Sequence, residues 1–187
     1  MSQQMLILIG PSGVGKSTFV ERTLADYKHF VDTITYTSRP MRKGESEGNP
    51  YHFVAPERFE ELISEDFFVE WAQVHGRYYG TPHHQILDIW KNGKIVLMDV
   101  DVQGAKTFKA KFPQALTLFI LPPSLEALRQ RVISREGIAP ADIEVRMESA
   151  QKELAQARDF DLRLINDDFT KAYAEYRKLI EDHLKIK

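Results

Sequence analysis

The chain has no cysteine, which removes disulfide cross-links, thiolate metal sites and cysteine nucleophiles together. It also lacks a hydrophobic run approaching the roughly 18 residues that a membrane-spanning helix needs; the longest apolar stretches, residues 5–9 and 95–98, are far shorter. No basic segment followed by an apolar one opens the sequence, so a soluble, cytoplasmic protein is expected. An excess of charge of one sign is missing too. With 25 basic against 27 acidic side chains the net charge is −2, which offers no general field for nucleic acid or for an anionic membrane. Internal repeats and low-complexity tracts are likewise absent. What remains is an ordinary mixture, 43% hydrophobic and 28% charged over 187 residues, enough for one domain with a sizeable core and small inserted lobes.

The hydrophobic pattern predicts an α/β architecture. Residues 5–9 (Met-Leu-Ile-Leu-Ile), 94–99 and 115–121 are short continuous apolar runs, as expected of strands buried on both faces of a parallel sheet, and residues 162–165 form a weaker fourth. Helical periodicity follows each of them: Phe19, Val20, Thr23 and Leu24; Ala105, Phe108 and Phe112; Leu125, Leu128 and Val132; and a last helix through Ala172, Tyr173, Tyr176, Leu179, Ile180 and Leu184, with Asp168 as its N-cap. Two segments break this rhythm. Residues 35–81 are rich in Gly, Pro, Tyr and charge, with short mixed strands and a small helix over 56–65, and read as an inserted substrate lobe. Residues 129–146 are polar, carry Arg129, Arg131, Arg135 and Arg146 around Gly137 and Pro140, and read as a mobile lid.

Residues 10–17, Gly-Pro-Ser-Gly-Val-Gly-Lys-Ser, match G-x-x-x-x-G-K-[ST] at every fixed position, directly after an apolar strand and before a helix. Glycines there let backbone N–H groups converge on phosphate oxygens, and the helix N-terminus adds its positive dipole end. Lys16 would reach the β- and γ-phosphates and the Ser17 hydroxyl would bind Mg²⁺. Asp99 and Asp101 stand at the end of another buried strand, where ligands of open α/β sheets gather. Either could hold Mg²⁺ directly or through water; one of them could instead cap the next helix. If the strand continues through both, they share a face. A second anion-binding cluster lies in the inserted segment: Arg39, Arg42 and Lys43 in a Pro- and Gly-containing loop, followed by Tyr51 and by Tyr79. Guanidinium groups and phenols suit phosphate recognition.

These blocks resemble the guanylate kinases, and the likeness runs from about Met5 to the last helix. It rests on Gly-Pro-Ser-Gly-Val-Gly-Lys-Ser-Thr (10–18), Thr-Ser-Arg-Pro-Met-Arg-Lys-Gly-Glu (37–45), Gly-Asn-Pro-Tyr-His-Phe-Val (48–54), Phe-Val-Glu-Trp-Ala-Gln-Val-His-Gly-Arg-Tyr-Tyr-Gly-Thr-Pro (68–82), Asp-Val-Asp-Val-Gln-Gly-Ala (99–105), Phe-Ile-Leu-Pro-Pro-Ser-Leu-Glu (119–126) and Ile-Asn-Asp-Asp (165–168). The resemblance implies a P-loop kinase core, a parallel sheet flanked by helices over 1–34, 82–125 and 149–187, with a mixed-β GMP-binding lobe at 35–81 and a lid at 126–148. It implies ATP-dependent phosphorylation of GMP to GDP with Mg²⁺, by a monomer or homodimer that needs neither nucleic acid nor membrane.

Carried over position by position, the resemblance places Gly10, Pro11, Ser12, Gly13, Val14, Gly15, Lys16, Ser17 and Thr18 at the ATP phosphates and Asn166 and Asp167 near adenine. Arg39, Arg42, Tyr51 and Tyr79 would grip the GMP phosphate, while Thr35, Glu70, Gly80, Thr81 and Asp101 would meet the guanosine. Lys16, Arg42, Arg135 and Arg146 would serve catalysis, with Arg131 contributing, and Ser17 and Asp99 would hold the metal. Glu70 makes physical sense there, since guanine presents N1–H and its exocyclic amine as adjacent donors for one carboxylate, and adenine does not. One departure lies in the lid, where Glu136 intervenes between Arg135 and Gly137; it puts the geometry or rate of closure in question, although the spacing from Arg135 to Arg146 is kept. Thr35 stands where the family often has serine and retains the hydroxyl. His75, His83 and His84 are expected in surface or packing roles. The competing readings are a catalytically silent guanylate-kinase-like binding module, disfavoured by the intact Lys16, Ser17, Arg135 and Arg146, and a kinase for another small phosphate, disfavoured by Glu70, Thr81 and the 37–45 block.

Overall fold

A computed structural model describes residues 3–42, 44–49, 51–74 and 76–186; Lys43 of the basic loop and His75 lie outside the described residues. Along the chain run β1 (Met5–Ile9), α1 (Lys16–Asp26), β2 (Phe30–Asp32), β3 (Tyr36–Thr37), β4 (His52–Phe53), α2 (Pro56–Ser64), β5 (Phe68–Val74), β6 (Arg77–Pro82), α3 (His83–Lys91), β7 (Ile95–Val100), α4 (Val102–Lys111), β8 (Leu116–Leu121), α5 (Leu125–Glu136), α6 (Ile143–Ala155), a 3₁₀ turn (Ala157–Asp159), β9 (Leu162–Ile165) and α7 (Phe169–Leu184).

Five strands form an all-parallel sheet in the order β2-β7-β1-β8-β9. The uninterrupted apolar run of β1 has a direct cause, because successive side chains of the central strand feed opposite cores. Leu6 and Leu8 join Phe19, Leu128, Tyr176 and Ile180 on one face. Met5, Ile7 and Ile9 join Trp90, Val102, Phe108 and Phe119 on the other. Every residue of β1 is fully buried. Helix α7 starts where the sequence places it, with the Asp168 carboxylate accepting the Lys171 N–H at 2.9 Å.

The inserted segment builds a second, mixed sheet of order β4-β3-β6-β5. Its own core is small: Phe59, Leu62 and Phe68 are buried, and the Phe59 ring stacks on Phe68 and Tyr78 at centroid distances of 4.5 and 5.1 Å. Gly80 makes this stack possible, since a Cβ there would sit 2.9 Å from Phe68 and 3.0 Å from Phe59.

Strand β2 and helix α6 were not read from the sequence, and one local expectation changes. Strand β2, three residues long, carries no periodicity of its own and is defined by pairing with β7. Strand β7 stops at Val100, so Asp99 and Asp101 do not share a strand face: Asp101 is the N-cap of α4, its carboxylate accepting the Gly104 N–H at 2.7 Å. Residues 126–148 are largely two helices, α5 ending at its C-cap Gly137 and α6 beginning at Ile143, joined by the bidentate pair of Arg129 with Glu144. Among the described residues no helix is long and apolar enough to cross a membrane.

Candidate active site

The phosphate loop leaves the carboxyl end of the central strand and turns directly into α1. Gly10, at φ 144°, has no room for a side chain, because a Cβ would lie 2.5 Å from the Ile120 carbonyl oxygen. Gly15, at φ 106°, is the N-cap of α1 and fits a left-handed conformation that residues with a Cβ adopt at a cost. Lys16 folds back across the loop and donates to the Gly10 carbonyl at 2.6 Å. Burial pushes its ammonium below the ordinary lysine range, against the attraction of Asp99, Glu153 and Asp101.

A cavity of about 540 Å³ opens over this loop. Pro11, Ser12, Gly13, Gly15, Lys16, Ser17 and Thr18 line it from the core, Arg135 and Arg146 from α5 and α6, and Arg42 from the inserted lobe. Val14 belongs to the same loop but points into the core, fully buried. Asn166 is buried beneath the loop, donating its amide to the Val14 carbonyl at 2.9 Å, with its Oδ1 unpartnered. Exposed Asp167 accepts from Arg131 through its backbone oxygen. Asn166 thus supports the loop from beneath and Asp167 bonds to α5, and neither lines this cavity.

A second cavity, of about 600 Å³, lies between the core and the inserted sheet. Thr35, Tyr51, Glu70, Tyr79, Gly80, Thr81 and Asp101 all line it, as do Asp32 and Ile34. The two cavities share Ser17, Tyr51 and Asp99, so a ligand in one meets a ligand in the other at those residues. A shift of register between Phe68 and Glu70 in the β5–β6 pairing accompanies the turn of Glu70 toward Asp101. Gly104 leaves just enough space for the two carboxyls, since a Cβ there would stand 3.3 Å from Asp101 Oδ1 and 3.4 Å from Glu70 Oε1. Burial and then the neighbouring Asp101 push the Glu70 carboxyl up to about 7, opposed by Lys111. Burial and then Asp99 raise Asp32 to about 7 as well.

Arg39 is held at the rim of this cavity rather than in it. Its guanidinium lies over Tyr51 and Phe53 at 5.3 and 5.5 Å and pairs with Glu45 at 2.8 Å. Glu45 also accepts the Arg42 N–H at 2.7 Å, so one carboxylate shapes the loop that carries both arginines. Tyr51 and Tyr79 meet edge to face at 5.9 Å. His83 and His84 open α3, and His84 packs against Phe67. Sequence reasoning missed Glu45, Asp32 and Glu153; their positions carry no spacing signal and acquire meaning only from what they face. Another hollow, of about 770 Å³, lies at the opposite end of the sheet, lined by Gln4, Lys109, Asp161 and His183. Its charged pair, Lys109 with Asp161, is already satisfied at 2.8 Å.

Ser17 and Asp99 suit Mg²⁺, which typically takes one or two protein oxygens and completes its shell with waters and substrate phosphates. A hydroxyl and a carboxylate at the junction of the cavities fit that chemistry. Among the described residues no group of three or more His, Asp or Glu is placed to hold a metal.

Comparison with known proteins agrees with this geometry. The family model described as guanylate kinase matches residues 2–183. A guanylate kinase of Bdellovibrio bacteriovorus is 48% identical over 184 residues, covering 98% of this chain and 100% of that protein. One from Nitratidesulfovibrio vulgaris is 43% identical, covering 92% and 84%. The crystal structure of guanylate kinase from Anaplasma phagocytophilum superposes with a TM-score of 0.76 at 28% identity, covering 98% of this chain and 96% of that one. A loop shaped for phosphates, a lobe that aims Glu70 into a neighbouring cavity, and matches running nearly end to end lead to one assignment: the chain belongs to the guanylate kinase family.

Proposed function

We propose that the protein transfers the γ-phosphoryl group of ATP to GMP, giving ADP and GDP. The observation that carries this reading is the pair of cavities meeting at Ser17, Tyr51 and Asp99, one lined by the phosphate loop and arginines, the other by Glu70, Thr81 and Asp101. ATP occupies the first with its phosphates over residues 10–18 and its adenine toward Asn166 and Asp167. GMP occupies the second, its phosphate turned toward Arg39, Arg42, Tyr51 and Tyr79. Glu70, as carboxylate, accepts from guanine N1–H and the exocyclic amine, with Thr35, Gly80, Thr81 and Asp101 around the guanosine. Such a site discriminates strongly, because a base lacking those donors leaves buried acceptors unpaired.

A GMP phosphate oxygen attacks the γ-phosphorus in line as the bond to the ADP oxygen breaks. That oxygen is already anionic at pH 7 and needs no strong base. Charge spread over the transferring oxygens is met by Lys16, Arg42, Arg135 and Arg146, with Arg131 contributing. Ser17 and Asp99 would hold Mg²⁺, which when bound neutralises charge on the phosphate oxygens. The lobe at 35–81 and the lid at 126–148 close on the core and exclude water, limiting wasteful hydrolysis. The protein acts in the cytoplasm as a monomer or homodimer, without nucleic acid or membrane.

The deciding experiment measures ADP release from ATP–Mg²⁺ with GMP, AMP, CMP, UMP and dTMP offered singly. Strong turnover with GMP alone is expected. Folded protein that binds GMP and turns over none of the five would overturn the reading.

A further inference from the structure

The chain crosses from the parallel core to the inserted sheet at residues 33–35, between the end of β2 at Asp32 and the start of β3 at Tyr36. Thr33 still belongs to the core, donating its N–H to the Leu97 carbonyl at 3.2 Å. Thr35 already belongs to the lobe, its carbonyl accepting the His52 N–H at 3.0 Å. Ile34, between them, has no strand partner in either sheet. Both of its backbone groups go instead to one side chain: its N–H donates to Gln85 Oε1 at 2.8 Å, and its carbonyl accepts from Gln85 Nε2 at 3.1 Å. A side-chain amide offers a donor and an acceptor as a peptide group does, so Gln85 stands in for a neighbouring strand.

Gln85 sits in the first turn of α3, directly after the return crossing from β6 at Pro82 and His83. Helix α3 is anchored on the core by Ile86, Ile89 and Trp90. One amide thus ties the outgoing crossing to the returning one and fixes Ile34 to the core. The bonding pattern changes from core to lobe between Ile34 and Thr35. Ile34 and Thr35 line the second cavity together with Gly80 and Thr81 of the return strand.

We propose that Gln85 is a positioning residue for the acceptor nucleotide: by clasping Ile34 to α3 it sets where Thr35 stands against Glu70 and Thr81, and sets the point about which the lobe turns. The proposal rests on the second cavity being the GMP site. Gln85 does not line either cavity near the phosphate loop, so its effect reaches the nucleotide only through Ile34 and Thr35.

The test is steady-state kinetics of the full chain with Gln85→Ala and Gln85→Glu, preceded by GMP turnover of the unsubstituted protein. Gln85→Ala is expected to raise KM for GMP roughly tenfold, with KM for ATP within about twofold, as displacement of a site's supporting residues acts on the substrate they place. Gln85→Glu keeps the acceptor for the Ile34 N–H and loses the donor to its carbonyl, so its KM for GMP should fall between the two. Should Gln85→Ala fail to fold, calorimetric GMP binding by Gln85→Glu decides, with weakened binding supporting the clasp. KM for GMP unchanged in Gln85→Ala, or GMP and ATP affected equally alongside a lowered melting temperature, overturns it. Absence of GMP turnover in the unsubstituted protein overturns the functional reading itself, and the clasp's role with it.

Discussion

The two sheets of this molecule are built on different physical terms. The parallel sheet is continuous apolar strand packed between two extensive clusters, and its central strand exposes nothing. The inserted sheet packs Phe68 against Phe59 and Leu62 of α2 in a stack of aromatic rings, and its inner face carries Tyr79, Glu70 and Thr81 toward a cavity. Continuous burial makes the first a rigid platform, suited to holding a tight loop with positive φ at Gly10, Gly13 and Gly15. The second has a small core of its own and meets the first through Val69 of β5, which is buried against Ile86, Met98 and Val102, and through two chain crossings. The proposed donor site rests on the first, and the proposed acceptor site, which closes on its substrate in that reading, lies against the second.

That contrast can be broken from either side. On the core side, Lys16→Ala should cut turnover by roughly 10³-fold or more while leaving the melting temperature unchanged or higher, since it removes a cation whose burial is unfavourable; circular dichroism and kinetics on one preparation check both. Arg146→Met, on the helix that faces the loop, should lower kcat by about 10³-fold with KM for GMP little changed, as expected for an interaction realised in the transition state. An unchanged kcat would remove it from the catalytic group. On the lobe side, Glu70→Gln turns one acceptor into a donor facing a donor and should lower kcat/KM for GMP about 10²-fold, sparing KM for ATP; equal losses for both nucleotides would contradict its place at guanine.

Stability should divide in the same way. Leu8→Ala opens a cavity in the platform and should cost about 3–5 kcal/mol of global unfolding free energy, read by denaturant titration. Phe59→Ala should instead speed amide exchange across the inserted sheet while β1 stays protected, and a uniform acceleration would show the two sheets to be one cooperative unit. The smallest effect is on pH. Glu70 and Asp32 each have carboxyls raised to about 7 in the folded chain, so the folded state binds these protons more tightly than the unfolded state does. Between about pH 4 and 7 their contribution to stability therefore declines as pH rises, and above 7 it is lost. Asp32→Asn should flatten the fall in melting temperature of the nucleotide-free protein from pH 5 to 8; an unchanged slope would refute the assignment.

Much of this was legible beforehand because the signals are local. Continuous apolar runs announced β1, β7 and β8, and a weaker one β9; the 3.6-residue period announced the helices that follow, and G-x-x-x-x-G-K-[ST] encodes a backbone shape that few other residues permit. The edge strand β2 was not legible, since three residues have no period and its partner β7 lies more than sixty positions later. Asp101 ended as a cap of α4 because a short acceptor before a helix competes successfully with continuing the strand. Helix α5 follows the period of Leu125, Leu128 and Val132, whereas α6 was not read because its polar composition masked it.

By itself, then, the sequence determined the fold class and the phosphate loop, since each depends on chemistry spaced within a few residues, while the residues proposed at guanine, scattered from Thr35 to Asp101, came from the resemblance of whole blocks to a family. Tertiary structure alone decided that Ser17, Tyr51 and Asp99 border both cavities, that Glu45 organises Arg39 and Arg42, that Asp32 and Glu70 are raised carboxyls, and that Gln85 clasps Ile34. Each of those facts depends on which side chains the packing of two sheets sets face to face, and burial, charge proximity and hydrogen-bond reach are properties of distance in space rather than along the chain.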